Sequence, residues 1–499
     1  MHIGLIGLGT MGANLARNAA RNGAKVAVYN RTVEKTDAFI AAYGGEGTLI
    51  GCRTIEELIQ QLPKPRSVIL MVNAGKPVDD VIQELLPHLQ AGDSIIDAGN
   101  SHFTDTERRV LSLQKKGIHF LGMGVSGGEE GALLGPSMMP GGSREAYDSI
   151  ESLLRKMAAK DGSSGKCVSF IGSGASGHFV KMVHNGIEYG DMQLIAETYH
   201  LMRSVLKLGN AEIAKTFESW NSSRELKSFL IEITSRIFSK KDETGSGDLI
   251  DVIKDEAKQK GTGKWTTQGA LDLGIAVPTM TAAVDARLMS SLKNLRMEAE
   301  NRMGLFECKT QKIPLGALKN ALFLSKICSY AQGFALIAEA SRTHGWNIDL
   351  SEICRIWKGG CIIRSALLKT FEEAFRLEPA LQNLLLSPGI VELFRSRHAK
   401  WRKVVSSAVI AGIPVPAMSA SLAYFDSLRT GRLPQNLTQA QRDFFGAHTF
   451  ERLDRSGTFH AEWTSEEDDM EDHEMNINAE KLRARLKESE ESGLSNMRI

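Results

Sequence analysis

Short apolar runs alternate with amphipathic helical stretches through the first third of the chain. Apolar residues recur at helical spacing in Met11–Asn22 and in Val78–Leu89. The runs predicted as buried strands are His2–Ile6, Lys25–Tyr29, Ser67–Val72, Ser94–Asp97, His119–Leu121 and Val168–Ile171. Strands that alternate with helices form a parallel sheet with helices on both faces. The pattern therefore predicts a Rossmann-type, doubly wound α/β domain over residues 1–174.

Beyond residue 174 the pattern is almost entirely helical, which predicts a large all-α domain over residues 175–430. The predicted helices cover residues 178–208, 211–220, 224–240, 279–301, 315–344, 349–357 and 361–376. We expect an ordered C-terminal tail at 431–463 and an extension at 464–499. Seven of the nine residues from Glu466 to Glu474 are acidic, which is typical of a solvated, disordered segment.

Part of the helical region is repeated within the chain. Leu194-Ile195-Ala196-Glu197 recurs 142 residues later as Leu336-Ile337-Ala338-Glu339. Further along, Leu226-Lys227-Ser228 is echoed more faintly by Ile363-Arg364-Ser365. We interpret these pairs as a tandem duplication of one helical unit.

Composition and charge narrow the class of protein. The 499 residues leave room for about two to four domains. The 60 basic and 59 acidic side chains give a net charge of +1, which argues against a generally basic surface for nucleic acid or acidic lipid. The chain has no run of about 20 apolar residues and no signal-peptide features, so we predict no membrane span. Six scattered cysteines without a Cys-x-x-Cys pair favour a reducing cytoplasm over a zinc site or a disulfide framework.

The first predicted strand runs directly into Gly7-Leu8-Gly9-Thr10-Met11-Gly12, which opens a helix. In the dinucleotide-binding fingerprint, the first glycine allows a tight turn and the second lets the backbone approach the pyrophosphate. The third allows the helix to pack closely on the strand. Because the helix N-terminus attracts negative charge, this context predicts a dinucleotide site rather than a merely structural glycine turn.

The end of the second strand indicates which dinucleotide binds. An NAD site has an acidic residue there for the ribose hydroxyls, whereas this chain has Asn30-Arg31-Thr32. Without a carboxylate to repel it, a 2′-phosphate can pair with the Arg31 guanidinium and accept a hydrogen bond from Thr32. We therefore expect NADP as the cofactor. The alternative is a solvated arginine in an ordinary turn.

A polar stripe lies where the α/β pattern gives way to the helical one. Lys181, His184, Asn185 and Glu188 stand at positions i, i+3, i+4 and i+7, so on a helix they share one face. Lys181 and Glu188 would be about 10.5 Å apart along the axis, which lets an amine and a carboxylic acid reach one small substrate from two ends. On spacing alone, a solvent-exposed polar face is the more common explanation.

The internal repeat favours the catalytic interpretation of this stripe. At the offset of 142 residues, the positions of Lys181, Asn185 and Glu188 are taken by Phe323, Ile327 and Tyr330. The second copy of the unit therefore keeps the helical scaffold but lacks the polar stripe. If the fold of the unit required the stripe, both copies would have kept it.

Three small polar segments are candidates to complete a site. Gly99-Asn100-Ser101 and Ser126-Gly127-Gly128 follow predicted strands, where doubly wound sheets bind ligands. Lys260-Gly261-Thr262-Gly263 offers a cation, a hydroxyl and backbone amides to a phosphate, although a glycine-rich surface turn is at least as common.

These motifs, together with two further segments, resemble the 6-phosphogluconate dehydrogenase family. The two segments are Gly124-Val125-Ser126-Gly127-Gly128-Glu129 and Gln441-Arg442-Asp443-Phe444-Phe445-Gly446-Ala447-His448. The resemblance covers roughly residues 1–463. It implies NADP-dependent oxidative decarboxylation of 6-phosphogluconate to ribulose 5-phosphate, in the oxidative branch of the pentose phosphate pathway. It also implies that Lys181 is the general base and Glu188 the acid, with no metal.

The resemblance implies the binding residues as well. Those for NADP are Gly7, Leu8, Gly9, Thr10, Met11, Gly12, Asn30, Arg31, Thr32, Val72, Asn73, Ala74 and Asn100. Those for the substrate's carboxylate and hydroxyls are Asn100, Ser126, Gly127, Gly128, His184 and Asn185. Those for its phosphate are Tyr189, Lys260, Thr262, Arg287, Arg442 and His448. In the family, the last two come from a second subunit, so a homodimer is implied.

Two residues depart from the family pattern. Asn73 stands where members often have lysine near the cofactor, and Lys258 replaces a small residue. Two alternative functions stay open at this point. One is a β-hydroxyacid dehydrogenase for an unphosphorylated acid, against which the phosphate residues and the second helical unit argue. The other is an inactive NADP-binding scaffold that acts through its acidic tail, against which Lys181 and Glu188 argue.

Overall fold

The chain divides into two compact units, Met1–Phe425 and Asp426–Ile499. The computed structural model describes residues 1–259, 261–304 and 312–463, together with residues 480, 481 and 483. The acidic segment Glu466–Glu474 lies outside the described residues. The predicted boundary at residue 174 falls inside the first unit, so it stays a prediction.

A seven-stranded sheet forms the first part of the first unit. Its strands are β1 (His2–Ile6), β2 (Lys25–Tyr29), β3 (Thr48–Cys52), β4 (Ser67–Leu70), β5 (Ser94–Asp97), β6 (His119–Ser126) and β7 (Ser137–Gly142). The spatial order is β3-β2-β1-β4-β5-β6-β7, and only β7 runs antiparallel to its neighbour. Every residue of β4 and β5 is buried, as expected for central parallel strands covered on both faces.

Helices cover both faces of this sheet. They are α1 (Thr10–Arg21), α2 (Val33–Tyr43), α3 (Ile55–Gln60), α4 (Lys76–Leu85), α5 (Phe103–Gln114), α6 (Gly128–Leu134) and α7 (Arg144–Met157). Two separate apolar clusters hold the two layers, one around Leu5 and Ile150 and the other around Leu58 and Phe120. The predicted doubly wound α/β arrangement is therefore confirmed. A small hairpin of β8 (Lys160–Asp161) and β9 (Gly165–Lys166) follows.

The strand predicted at Val168–Ile171 is wrong. The segment lies along the edge strand β7, where the Met138 amide donates to the Cys167 carbonyl at 3.0 Å and the Ile171 amide donates to the Pro140 carbonyl at 2.8 Å. These bonds are too few for a ladder, and only Val168 forms a bridge, to Met138. Sequence patterning also missed β3, whose residues are mostly half-exposed, and β7, whose Met-Met-Pro-Gly-Gly run has no β-branched residue.

The rest of the first unit is helical, as predicted. Its helices are α8 (Ser176–Ser204), α9 (Asn210–Asn221), α10 (Phe229–Ser239), α11 (Leu249–Val252), α12 (Thr262–Asp272), α13 (Pro278–Ser291), α14 (Lys293–Met303), α15 (Leu315–His344), α16 (Leu350–Trp357), α17 (Leu367–Leu377), α18 (Pro388–Ile410) and α19 (Pro416–Leu428). The single helix predicted over 279–301 is in fact two, which break at Leu292.

The two long helices of the internal repeat, α8 and α15, pack against each other in the centre of this helical part. Ser228 and Ser365, from the fainter pair of repeated segments, form an antiparallel bridge. Among the described residues, α15 is the one helix long and apolar enough to cross a membrane. Because 89% of its apolar window is buried inside the fold, its composition is that of a central core helix.

The C-terminal unit contains α20 (Gln435–Gly446) and a hairpin of β10 (Phe450–Glu451) and β11 (Thr458–Phe459). One buried carboxylate organises it. Asp443 accepts hydrogen bonds from the Thr449 amide at 2.8 Å, from His460 Nδ1 at 2.9 Å and from Trp463 Nε1 at 2.8 Å. These bonds draw the end of α20 and the last described residues together.

Helix α8 lies on strands β6 and β7 with almost no side chain between them. A Cβ on Gly124 would stand 2.4 Å from Cβ of Lys181, and one on Gly177 would stand 2.2 Å from the Gly122 carbonyl oxygen. Real Cβ atoms do not tolerate such contacts, so glycine is what allows the helix to approach the sheet this closely.

Gly124→Ala is expected to lower the free energy of unfolding by about 1–3 kcal/mol, because the added methyl group overpacks this contact. Gly316→Ala is the matched control, since a Cβ there, in the first turn of α15, would meet nothing within 4 Å. Thermal unfolding of both variants measures the difference. Equal melting temperatures for the two would contradict the close contact.

Candidate active site

The loops predicted to bind ligands meet at one edge of the sheet. Strands β1, β4, β5 and β6 are parallel neighbours, so the loops that follow them lie side by side. This edge includes the point between β2 and β4 where the strand order reverses, and doubly wound sheets bind nucleotides at such a point.

The glycine loop after β1 leaves the start of α1 open. Gly7 has a φ of +103°, which is favourable only for glycine, and a Cβ on Gly12 would stand 1.9 Å from the Gly7 carbonyl oxygen. At Gly9 a Cβ would meet nothing within 4 Å, and no side chain caps the helix. The first turn, which begins with Thr10 and Met11, has no acidic residue. The free backbone amides therefore suit a pyrophosphate.

Asn30 and Arg31 play different parts beside this loop. The Asn30 side chain accepts a hydrogen bond from the Leu8 amide at 3.0 Å and donates one to the Thr32 carbonyl at 3.1 Å. It therefore ties the glycine loop to the end of β2. Arg31 and Thr32 are exposed, and no described carboxylate lies within 4.0 Å of Arg31. The guanidinium is thus available to an added phosphate.

A buried arginine that sequence reasoning missed joins the loops after β4 and β5. Arg109 donates from Nη2 to the Gly75 carbonyl at 3.0 Å and from Nη1 to Ser101 Oγ at 3.2 Å. Asp97 accepts from Ser101 Oγ at 2.6 Å. These contacts hold the loops that carry Val72, Asn73, Ala74 and Asn100. An arginine on an amphipathic helix looks like a solvated residue, so the sequence contained no signal for this role.

The predicted polar stripe is not a solvated face, since Lys181 and His184 are buried and Asn185 and Glu188 are half-buried. Lys181 is 7% exposed and His184 is fully buried. Lys181 Nζ donates to Asn185 Oδ1 at 2.8 Å and lies 3.4 Å from His184 Nδ1. His184 Nε2 is 3.1 Å from Ser126 Oγ, which joins the stripe on α8 to the end of β6. Glu188 follows one turn further on, with its carboxylate 4.0 Å from His184 Nδ1.

Burial governs the ionisation of this cluster. It lowers the pKa of Lys181 below its ordinary 10.5, an effect that Glu188 opposes. It raises the pKa of Glu188 above 4.5, although Lys181 and Arg287 oppose this. Burial, together with the nearby Lys181, lowers the pKa of His184 well below 6.5. An amine, an imidazole and a carboxyl group, each with its pKa displaced toward the uncharged form, therefore stand in order along one helix face.

A second group of predicted residues surrounds Tyr189. The Arg287 guanidinium stacks 3.4 Å from the centre of the Tyr189 ring, and Gly263 lies against the edge of that ring. Thr262 begins α12 beside them. Arg287 also donates to the Lys258 carbonyl at 3.4 Å, a backbone contact that does not depend on the unusual side chain at position 258. Lys260 lies outside the described residues.

The loop before α17 also reaches this edge, and sequence reasoning missed it. The Gly360 carbonyl accepts from the Ser137 amide at 2.7 Å, and a Cβ on Gly127 would stand 2.7 Å from that carbonyl oxygen. Ile362 is the nearest side chain to Gly128. The Gly359-Gly360 pair between two helical patterns was a turn signal that could have identified the loop.

The predicted phosphate-binding residues Arg442 and His448 belong to the C-terminal unit. Both are exposed there, and Arg442 donates to Gln439 at 3.0 Å. In the second copy of the repeat, Phe323, Ile327 and Tyr330 are buried in the core of α15. Across the described part of the chain, no group of three or more His, Cys, Asp or Glu residues is arranged to hold a metal ion.

Comparison with known families identifies both parts of the chain. The family described as NAD binding domain of 6-phosphogluconate dehydrogenase matches residues 2–172. The family described as 6-phosphogluconate dehydrogenase, C-terminal domain, matches residues 177–463.

Individual relatives match over almost their full length. The chain is 53% identical to the decarboxylating 6-phosphogluconate dehydrogenase of Synechococcus elongatus, over 92% of this chain and 98% of that one. It is 50% identical to the NADP(+)-dependent, decarboxylating enzyme of Bacillus subtilis, with the same two coverages. The 6-phosphogluconate dehydrogenase of Plasmodium falciparum was solved in its apo form, with its cofactor NADP+ and with its substrate 6-phosphogluconate. That structure superposes with a TM-score of 0.90 at 45% identity, over 93% of this chain and 100% of that one. This chain belongs to the 6-phosphogluconate dehydrogenase family.

Proposed function

We propose that this chain oxidises and decarboxylates 6-phosphogluconate to ribulose 5-phosphate and CO2, with reduction of NADP. The observation that carries the proposal is the buried Lys181, whose amine contacts Asn185 and which lies about two helical turns from the half-buried Glu188. Both stand at the sheet edge whose open α1 N-terminus suits a dinucleotide. The names of the relatives from Synechococcus elongatus and Bacillus subtilis support the same reaction.

Lys181 acts first as a general base. Its lowered pKa provides the neutral amine that removes the proton of the 3-hydroxyl group. NADP, when bound, accepts the hydride that leaves C3. The Asn185 and His184 side chains orient the amine, since both lie within 3.4 Å of Nζ or of each other.

Decarboxylation follows from the product of that oxidation. The 3-keto acid loses CO2 because the ketone accepts the electron pair of the broken C1–C2 bond, which forms an enediol. Protonated Lys181 donates a hydrogen bond to the developing oxyanion. Glu188, whose raised pKa favours the protonated form, then gives a proton to the carbon that has lost CO2.

Cofactor and substrate are held by separate groups. Gly7–Gly12 would hold the pyrophosphate and Arg31 and Thr32 would hold the 2′-phosphate, while Asn30 positions the glycine loop. Val72, Asn73, Ala74 and Asn100 line the cofactor. Ser126, Gly127, Gly128, Asn100, His184 and Asn185 hold the substrate's carboxylate and hydroxyls. Tyr189, Lys260, Thr262 and Arg287 hold its phosphate.

Arg442 and His448 complete the phosphate site from a second subunit of a cytoplasmic homodimer. The C-terminal unit supports this because it exposes large apolar side chains, among them Phe445 at 72% and Leu437 at 62%. The first unit exposes a second apolar group on α13 and α14, which includes Leu288, Met289 and Leu295. Paired copies would bury both surfaces.

Substitution of Lys181 tests the base directly. Lys181→Met is expected to reduce turnover of 6-phosphogluconate by about 100-fold to 10,000-fold, the usual contribution of a general base, while NADP binding is kept. Lys181→Arg keeps the positive charge but cannot lose its proton, so it should be equally inactive. Absorbance of NADPH measures turnover. Residual activity above a few per cent for the arginine variant would show that charge alone suffices.

The pH dependence of kcat/KM is expected to be bell-shaped. The reaction needs Lys181 without its proton and Glu188 with its proton, so activity falls on both sides of an optimum set by this coupled pair. Both limbs are displaced toward neutrality, because the pKa of Lys181 is lowered and that of Glu188 is raised. His184→Gln should keep both limbs, since the pKa of His184 lies well below 6.5. Loss of the acid limb in that variant would assign the base to His184.

Subunit complementation tests the shared phosphate site. In a mixed dimer of Lys181→Met and Arg442→Gln chains, one site is intact only if Arg442 comes from the partner. Co-expression of the two inactive chains should then recover about a quarter of wild-type turnover, because half of the randomly formed dimers are mixed. If Arg442 served its own chain, every site would carry one lesion and the mixture would stay inactive.

A further inference from the structure

A basic cavity of about 410 Å³ lies where the two copies of the repeat meet. Residues of α10 and of the loop before α17 line it, on both sides of the Ser228–Ser365 bridge. None of the residues that line it is among those assigned to cofactor or substrate.

Four cations around this cavity lack a counter-ion. They are Arg224, Lys227, Arg364 and Lys369. Within the part of the chain that the structure describes, no carboxylate lies within 4.0 Å of any of them. The two acids that line the cavity are engaged elsewhere. Asp161 accepts from Ser164 at 2.7 Å, and Glu232 pairs with Arg236 at 2.5 Å.

A neighbouring surface cavity of about 680 Å³ provides an internal comparison. It is also lined by cations from the end of α10, but these are neutralised. Lys240 pairs with Glu243 at 2.6 Å, and Lys241 pairs with Asp248 at 2.6 Å. In a chain whose net charge is only +1, four unpaired cations around one cavity are therefore a local feature rather than a general excess of positive charge.

The side chain of one of the four cations and the backbone of a second are held in place before any ligand binds. The Arg364 guanidinium lies 3.9 Å over the Phe229 ring and donates to the Cys361 carbonyl at 3.2 Å. The Lys227 carbonyl accepts from the Ala366 amide at 2.9 Å, so the backbones that carry Lys227 and Arg364 are fixed side by side. A ligand would therefore order little of the protein on binding.

We propose that this cavity is a second anion site, which binds a small metabolite carrying two phosphate groups or a pyrophosphate. Guanidinium and ammonium groups bind phosphate through charge-assisted hydrogen bonds. The volume lies in the range of small-molecule sites and exceeds what one inorganic phosphate fills. The four cations balance the charge of two phosphate groups.

Calorimetric titration with inorganic pyrophosphate tests the proposal. The full chain is first saturated with 6-phosphogluconate and with NADPH, the reduced cofactor, so that the proposed substrate and dinucleotide sites are both filled without turnover. One further pyrophosphate is expected to bind per chain. Lys227→Gln/Lys369→Gln should weaken it at least about tenfold, because each lost charged hydrogen bond contributes roughly that much.

Two further variants show whether pyrophosphate binds in this cavity, to surface cations in general or in the substrate site. Lys240→Gln/Lys241→Gln removes the same charge from the neighbouring cavity and should leave the affinity unchanged. Arg287→Gln alters the proposed substrate site and should also leave it unchanged. The proposal is overturned if pyrophosphate does not bind the wild-type chain, or if both double variants weaken it equally. It is also overturned if Arg287→Gln abolishes the binding, since pyrophosphate would then occupy the substrate site.

Discussion

Lys181 is held out of water against strand β6, and the rest of the site depends on that burial. A charged amine in such surroundings loses most of its hydration, so burial favours the neutral form that a base requires. The same burial obliges the amine to find polar partners, which Asn185 and His184 supply at 2.8 and 3.4 Å. It also requires glycine at position 124, because any side chain there would occupy the space of Lys181 Cβ.

A second buried lysine shows how local surroundings decide the role of an amine. Lys326 on α15 is fully buried, but its Nζ lies 2.5 Å from the carboxylate of Asp191 on α8. This ion pair ties the two long helices together. Lys181 has no carboxylate within 4.0 Å among the described residues, and its nearest contacts are an amide oxygen and an imidazole. Lys326 therefore stabilises the packing of the two helices, whereas the amine of Lys181 is not held in an ion pair and is available for proton transfer.

Local patterns were sufficient to predict most of the elements but not the long-range contacts. The strands His2–Ile6, Lys25–Tyr29 and Ser94–Asp97 were predicted with their observed bounds, because central parallel strands are continuous apolar runs. The missed strand β7 contains Pro140 and two glycines, and it is held by pairing with β6 rather than by its own propensity. Arg109 and Gly360 were missed for a related reason. Arg109 bonds to a carbonyl 34 residues away, and Gly360 meets Gly127 only through the folded chain.

The contact between α8 and α15 forms within one chain, which decides how it responds to dilution of the protein. Two separate helical units that associate lose translational and rotational freedom, which costs about 4–15 kcal/mol and makes their contact depend on concentration. Here both helices belong to one chain, and α15 presents Phe323, Ile327 and Tyr330 as core where α8 presents its polar stripe. The contact behind Lys181 is therefore intramolecular, and its formation does not depend on the concentration of the protein.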